Sequence, residues 1–184
     1  MPLALLGTKV GSAAWQAFLA GEDDRVEVRR YPDTYYYNLR PRGISFQVDP
    51  ATSTISTIDL YNAQARWGSY DQYPVEIPIV TDHQNKQVVQ ITPETTAIEL
   101  VRAFGEPTRK GGAEAGGPTT RALGPAMWTE WKVSAAMGTS QPASLYVLAE
   151  YAGEAARAPD RWERGRGSDA RWATIALSIV AARE

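Results

Sequence analysis

The sequence predicts an α+β fold made of two tandem units, each a helix followed by an antiparallel meander. Helical apolar spacing occurs near the start and again in the middle of the chain, and runs of alternating apolar and polar residues follow each one. The closing segments of the two halves are also similar, STISTIDLY beside ARWATIALSI. This internal repeat predicts two small units that share a core, residues 1–91 and 92–184. At this length one compact domain is the alternative.

Residues 92–107 carry the clearest helix signals. Thr92 is placed to cap the first turn, and Pro93 follows where a missing N–H costs nothing. Gly105 and Pro107 are typical of a helix end. Between these signals apolar residues recur at helical spacing: Ala97, Ile98, Val101 and Phe104.

The remaining elements follow in order from periodicity and punctuation. A helix is predicted over 12–20, where Trp15, Phe18 and Leu19 mark the buried stripe and Gly21 the end. Alternation and β-branched or aromatic content predict strands over 25–31, 35–39, 44–49, 54–61, 126–133, 145–151 and 171–180. Prolines make the extended segment 75–79 an edge strand at best, and residues 82–85 read as a hairpin turn.

Composition narrows the function classes. A net charge of −2 gives no general electrostatic reason to bind nucleic acid. Without cysteine and with His83 as the single histidine, disulfides, thiolate sites, histidine triads and multi-histidine metal sites are excluded. The glycine-rich stretch 111–117 lacks the ending of a phosphate loop. We therefore expect no catalytic residues, no metal and no cofactor.

Targeting signals are equally sparse. The apolar start lacks a basic region, and no run approaches the roughly 18 apolar residues of a membrane span. The expectation is a cytoplasmic protein without a transmembrane segment. The segment 157–171 holds five arginines against three acids, which allows contact with an acidic partner or with lipid headgroups, although a solvated loop is the commoner explanation.

Aromatic residues give the strongest functional signal. The chain has six Trp and nine Tyr but three Phe, and polar-tipped aromatics are enriched at binding surfaces. Alternation in AMWTEWKV and in the last strand turns two tryptophans away from the predicted core. The predicted partner-binding residues are Trp128 and Trp172, both expected to be exposed, with Trp67, Tyr70 and Tyr73 from the irregular segment. Aromatics that simply cap an open sheet face remain the alternative.

Two further functions stay open. A small-molecule binder or enzyme would need an aromatic pocket between helix and sheet. Its lining would be Tyr35, Tyr37, Trp131 and Tyr151, with Glu130 or Glu150 as acid or base. A self-associating protein would instead join copies through edge strands such as residues 75–79.

The ordered segments resemble the phagosome assembly factor family of eukaryotes. The likeness rests on YYYNLRPRGISFQVDPATSTISTIDLYN, with Gly43 before an alternating strand and Asp49 before a turn, on the extended YPVEIPI, and on the helix that ends in FGEP. It spans roughly residues 12–135. The tandem unit is also similar to small outer-membrane assembly lipoproteins and to the β-lactamase inhibitory protein. These resemblances imply a non-catalytic protein-interaction module. The first implies an adaptor in autophagy or membrane trafficking, with a WD-repeat protein as its partner.

Overall fold

The computed structural model describes residues 2–21, 25–62, 70–71, 77–83, 85–112, 126–135, 143–158, 160–163 and 167–179. Within them the helices are α1 (Ala13–Leu19) and α2 (Ala97–Phe104), and short 3-10 helices span Pro2–Leu5, Arg40–Arg42 and Ala155–Arg157. The strands are β1 (Glu27–Arg30), β2 (Tyr35–Leu39), β3 (Ile44–Val48), β4 (Ile55–Tyr61), β5 (Ile77–His83), β6 (Asn85–Ile91), β7 (Arg109–Gly111), β8 (Trp128–Ala135), β9 (Ala143–Tyr151) and β10 (Trp172–Ser178).

Eight strands form one antiparallel sheet in the order β1-β2-β3-β4-β10-β9-β8-β7, and β5 and β6 form a separate hairpin. These two strands meet where a hairpin turn is predicted over 82–85, but Asp82, His83 and Asn85 belong to the strands, and Gln84 lies outside the described residues. The two strands whose sequences look alike, β4 and β10, are hydrogen-bonded to each other in the middle of the sheet. The first and second halves of the chain therefore contribute to the same sheet.

The predicted fold class is wrong: the protein is mainly β rather than α+β with tandem helix units. The described helices have seven and eight residues, while the sheet is continuous across both halves. Alternation correctly predicted most of the strands, but it does not say whether two meanders form two sheets or one. Each isolated meander would leave an unpaired edge at its last strand, and pairing β4 with β10 removes both edges.

The helix ends follow from local hydrogen bonds. Ser12 caps α1, since its hydroxyl accepts from the Trp15 N–H at 3.3 Å. The start predicted at Thr92 is wrong: α2 begins after Thr96, whose N–H donates to the Glu99 carboxylate at 2.8 Å. Thr92 belongs to a preceding turn, in which its carbonyl accepts from the Thr95 N–H. Gly105, with a φ of 83°, ends α2 as predicted.

The core lies on one face of the sheet, beneath both helices. Fully buried sheet residues include Leu39, Ile44, Phe46, Ile58, Leu60, Trp131, Leu145, Val147, Ile175 and Leu177. From α1, Trp15 packs edge-to-face on Tyr37 and Phe46, with ring centroids 5.5 and 5.1 Å apart. From α2, Leu100 is completely buried. The opposite face of the sheet carries mostly polar side chains, and some of them, including Asn38, Ser45 and Glu130, are also buried.

Candidate functional site

The side of the sheet opposite the core, which we call the polar face, carries three rows of side chains set by the strand register. The first row contains Tyr61, Thr174, Glu150 and Trp128. The second crosses all eight strands: Glu27, Asn38, Ser45, Asp59, Ala176, Leu148, Glu130 and Arg109. The third contains Arg29, Tyr36, Gln47, Thr57, Ser178, Tyr146 and Lys132. Polar, charged and aromatic groups therefore share one face of the sheet, on which Asn38, Ser45 and Glu130 are buried.

Tyr70 is held on the first-half side of the polar face. Its ring stacks on that of Tyr61, with centroids 3.9 Å apart and planes 19° from parallel. Its hydroxyl donates to Asn38 Oδ1 at 2.6 Å, and the hydroxyl of Ser45 donates to the same oxygen at 2.7 Å. The Arg40 guanidinium lies 5.0 Å from the centre of the Tyr70 ring. Three separate contacts thus fix one aromatic side chain in place, and the bond from Ser45 holds Asn38.

Two carboxylates lie near the centre of the polar face. Gln47 donates to Asp59 Oδ2 at 2.9 Å, and Thr174 donates to Glu150 Oε2 at 2.8 Å. Burial raises the pKa of Asp59 to about 6, the hydrogen bond from Gln47 opposes this rise, and the negative charge of Glu150 adds to it. Among the residues that the structure describes, no ion pair includes either carboxylate. The centre of this face is therefore electronegative near neutral pH.

Trp128 occupies the second-half side of the polar face. Its ring lies against the backbone of Gly111, where a Cβ would come within 2.6 Å of the indole, so the close approach requires glycine. The Arg109 guanidinium lies 5.8 Å from the ring centre and 3.6 Å from Glu130, whose side chain is 4% exposed. Trp128 is consequently partly buried and fixed by its neighbours.

The predicted alternation in β8 and the residue before it is confirmed. Met127, Thr129, Trp131 and Val133 are buried, and Trp128 lies on the other face. Trp128 was expected to be exposed, and the structure shows it partly buried, because Arg109 and Gly111 flank its ring.

The expected exposure of Trp172 is also wrong. The side chain is 2% exposed, and its indole N–H donates to the Thr92 carbonyl at 2.7 Å. A register shift between Trp172 and Thr174 interrupts the alternation, so Trp172 pairs with Tyr151 and joins the core. An alternation count across this bulge assigns Trp172 to the wrong face.

The other predicted binding residues divide between two groups. Tyr70 shares the polar face with Trp128, but its stacking partner Tyr61 is three strand spacings from Trp128, or about 14 Å. Trp67 and Tyr73 lie outside the described residues. The structure therefore brings two of the five predicted residues to one face, at separate positions.

The alternative aromatic pocket is not formed. Tyr35 and Tyr37 lie on β2, whereas Trp131 and Tyr151 lie on β8 and β9 in the other half of the sheet and are 1% exposed. Strands β2 and β8 are five positions apart, or roughly 24 Å. The two candidate acids, Glu130 and Glu150, lie on the polar face instead.

The segment proposed for self-association is partly described. Residues 77–79 belong to β5 and pair with β6, and residues 75–76 lie outside the described part of the chain. The outer strands of the large sheet are β1 and β7. The sequence prediction missed β7, whose three residues are too few to show a period.

Asp59 and Tyr61 were also missed as site residues, although their signal is present. In ISTIDLY the residues Thr57, Asp59 and Tyr61 alternate with the buried Ile58 and Leu60, which places them together on the polar face.

Comparison of the chain with known protein families, with curated proteins and with solved structures finds no significant match. Within the described residues, no helix is long and apolar enough to cross a membrane. The same part of the chain contains no cluster of three His, Asp or Glu side chains able to hold a metal ion.

Proposed function

We propose that this chain is a non-catalytic protein-interaction module that binds a partner protein through the polar face. One observation carries the proposal: aromatic side chains on this face are already fixed, Tyr70 on Tyr61 and Trp128 on Gly111. Tyrosine and tryptophan are frequent anchors at protein interfaces, and an anchor held in place before binding loses less conformational freedom.

Charge indicates the chemistry of the partner. Glu150 lies in the same row as Tyr61 and Trp128 and between them, and Asp59 is two residues from Tyr61 on β4. A lysine or arginine side chain of the partner would complement these two carboxylates. Tyr61 adds a neutral hydroxyl, because burial, reinforced by the charge of Asp59, raises its pKa well above its usual range. A basic surface with complementary apolar groups is therefore the partner we expect.

The resemblance to the phagosome assembly factor family supplies a sharper form of the proposal. It would make the chain a cytoplasmic adaptor in autophagy or membrane trafficking, with a WD-repeat protein as partner and peripheral membrane contact. Support for this form comes from the sequence pattern alone.

The test compares partner capture by the purified wild-type chain and by four variants. Trp128→Ala removes one fixed aromatic, and Asp59→Asn with Glu150→Gln removes the central charge. The matched controls are Trp162→Ala and Glu94→Gln, because both side chains are exposed and lie outside the polar face. Proteins captured by wild type are identified, and their affinities are then measured with pure components.

A partner of this face should lose about tenfold or more in affinity for both polar-face variants and should bind both controls like wild type. Its affinity for wild type should also fall with salt, and the double variant should show a smaller salt dependence. Equal binding of every variant, with the fold intact by circular dichroism, would exclude the polar face as the binding surface.

A further inference from the structure

A pocket of about 230 Å³ lies on the other side of the sheet, next to α2. One wall is formed by Ile98 and Val101 of the helix, another by Met127 at the base of β8, and a third by Trp162. A cavity of about 150 Å³ is enough to hold a benzene molecule, so this one has room for a ring and a short substituent. It is separate from the polar face, because Met127 and α2 belong to the core side.

The wall opposite α2 is fixed by polar contacts. The Arg161 side chain donates to the carbonyls of Ala158 and Gly112 at 2.9 and 2.6 Å, which ties this segment to the end of β7. Gly167 passes so close to the Arg161 carbonyl that a Cβ would lie 2.5 Å from it. The Ser168 carbonyl accepts from the Ile98 N–H at 3.0 Å. These contacts fix the position of the wall that lies opposite α2.

The rim of the pocket combines an exposed ring with a cation. Trp162 is 42% exposed, which is unusual for a side chain of this size, and the ammonium of Lys110 lies 5.6 Å from its ring centre. Lys110 is paired with Glu106 at 3.7 Å, but the Glu106 side chain is 79% exposed. Such a solvated pair is worth little, so an incoming anion can replace Glu106 at low cost.

We propose that this pocket binds a small aromatic carboxylate. The ring lies between Val101 and Trp162, and the carboxylate meets Lys110 at the rim. Apolar walls with a few placed polar groups are typical of small-molecule sites. Besides Lys110, the polar lining residues are Glu106, Thr129, Arg161, Glu163 and Ser168. This binding activity is additional to the protein interaction proposed above and uses none of the polar-face residues.

The test follows the six indole N–H signals of the ¹⁵N-labelled chain by NMR, and the Trp162 signal is assigned by its loss in Trp162→Phe. Three probes of similar shape are titrated: phenylacetate, phenylacetamide and benzylamine. Phenylacetate should shift the Trp162 signal saturably. The affinity of phenylacetamide should be about fivefold lower, and that of benzylamine lower still. Lys110→Met should make the acid and the amide bind alike.

Two helix variants control for location. Val101→Phe places a ring inside the pocket and should abolish the shift, whereas Arg102→Phe adds the same ring on the exposed side of α2 and should not. Either of two results would overturn the proposal: a Trp162 signal that does not saturate with phenylacetate, or benzylamine binding as tightly as phenylacetate. A shift that survives in folded Val101→Phe would place the binding elsewhere.

Discussion

The two helices are attached to the same sheet in opposite ways. On the first half, the tryptophan belongs to the helix: Trp15 of α1 packs against the rings of Tyr37 and Phe46. On the second half, the tryptophans belong to the sheet, and their indole N–H groups donate to carbonyls on either side of α2. Trp172 donates to Thr92 at 2.7 Å and Trp131 donates to Gly105 at 2.9 Å.

This difference shows two ways to stabilise a helix that is too short to persist alone. Isolated helices below about 12 residues are marginal in water, and both helices here are shorter. Ring packing supplies buried area, whereas the indole hydrogen bonds fix the positions of the chain before and after α2. The first arrangement should therefore contribute more stability, and the second should contribute more to local order.

The largest expected effect is that of Trp15→Ala. It removes a 3% exposed side chain from the ring cluster and should lower the free energy of unfolding by about 3–5 kcal/mol, measured by urea denaturation. Trp15→Phe keeps part of the contact and should cost less than half as much. Equal losses for both variants would show that ring area is not what attaches α1.

The next test concerns the junction of the halves, where Asp59 of β4 lies one strand from β10. Because the pKa of Asp59 is raised from 3.8 to about 6, the folded state holds this proton more tightly than the unfolded chain does. The contribution of this proton to the free energy of unfolding is fully present below about pH 4, and it is lost as the pH rises through about 6. Asp59→Asn, which stays neutral, should exceed wild type in stability at pH 7 by roughly 2–3 kcal/mol and match it at pH 4.

Glu94→Gln is the control for this pH series, since Glu94 is exposed and should leave the stability profile of wild type unchanged. Separate melting of the two halves at pH 7 would show that they are energetically independent despite their shared sheet. A single transition that moves as a whole with Asp59→Asn would show that the junction couples them.

A smaller loss in the free energy of unfolding is expected for Trp172→Phe. It keeps a ring in the core but leaves the Thr92 carbonyl without its indole donor, which should cost about 1–3 kcal/mol. Hydrogen exchange should accelerate mainly in α2 and much less in α1. If exchange accelerates equally in both helices, the indole bond does not act locally and the proposed contrast is wrong.

Thr96→Ala should have the smallest effect of the series. The Thr96 N–H and hydroxyl both donate to the Glu99 carboxylate at 2.8 Å, and these bonds lower the pKa of Glu99. The alanine variant loses the hydroxyl contact and should destabilise the protein by about 0.5–1 kcal/mol in thermal denaturation. A loss as large as that of Trp172→Phe would mean that the cap, rather than the tryptophan, positions α2.

Much of the local structure was predictable, and the assembly was not. Alternation located β3, β4 and β8 because each has one apolar face, and Ser12 and Gly105 were predicted as helix ends from residue type alone. The helix start predicted at Thr92 is wrong because two further threonines follow it. Thr95 forms the turn with Thr92, and Thr96 forms the cap.

The errors at the site have a long-range origin. The burial of Trp172 depends on a bulge that the sequence of its own strand does not reveal. The two halves form one sheet because the free edge of β4 pairs with the free edge of β10. Burial of Glu130 likewise depends on β7, which is too short to recognise. Such features depend on contacts between distant segments, so no local period contains them.

The pairing of β4 with β10 has a consequence for biosynthesis. Tyr61 leaves the ribosome roughly 110 residues before its partner Thr174. At about 5–20 residues per second, the open edge of β4 therefore waits on the order of 10 s for the strand that covers it. During that interval ISTIDLY is an alternating, edge-exposed segment with a single charge, the kind of segment that attracts chaperones or other nascent chains. Its vulnerability in the cell is set by translation speed as much as by the stability of the finished sheet.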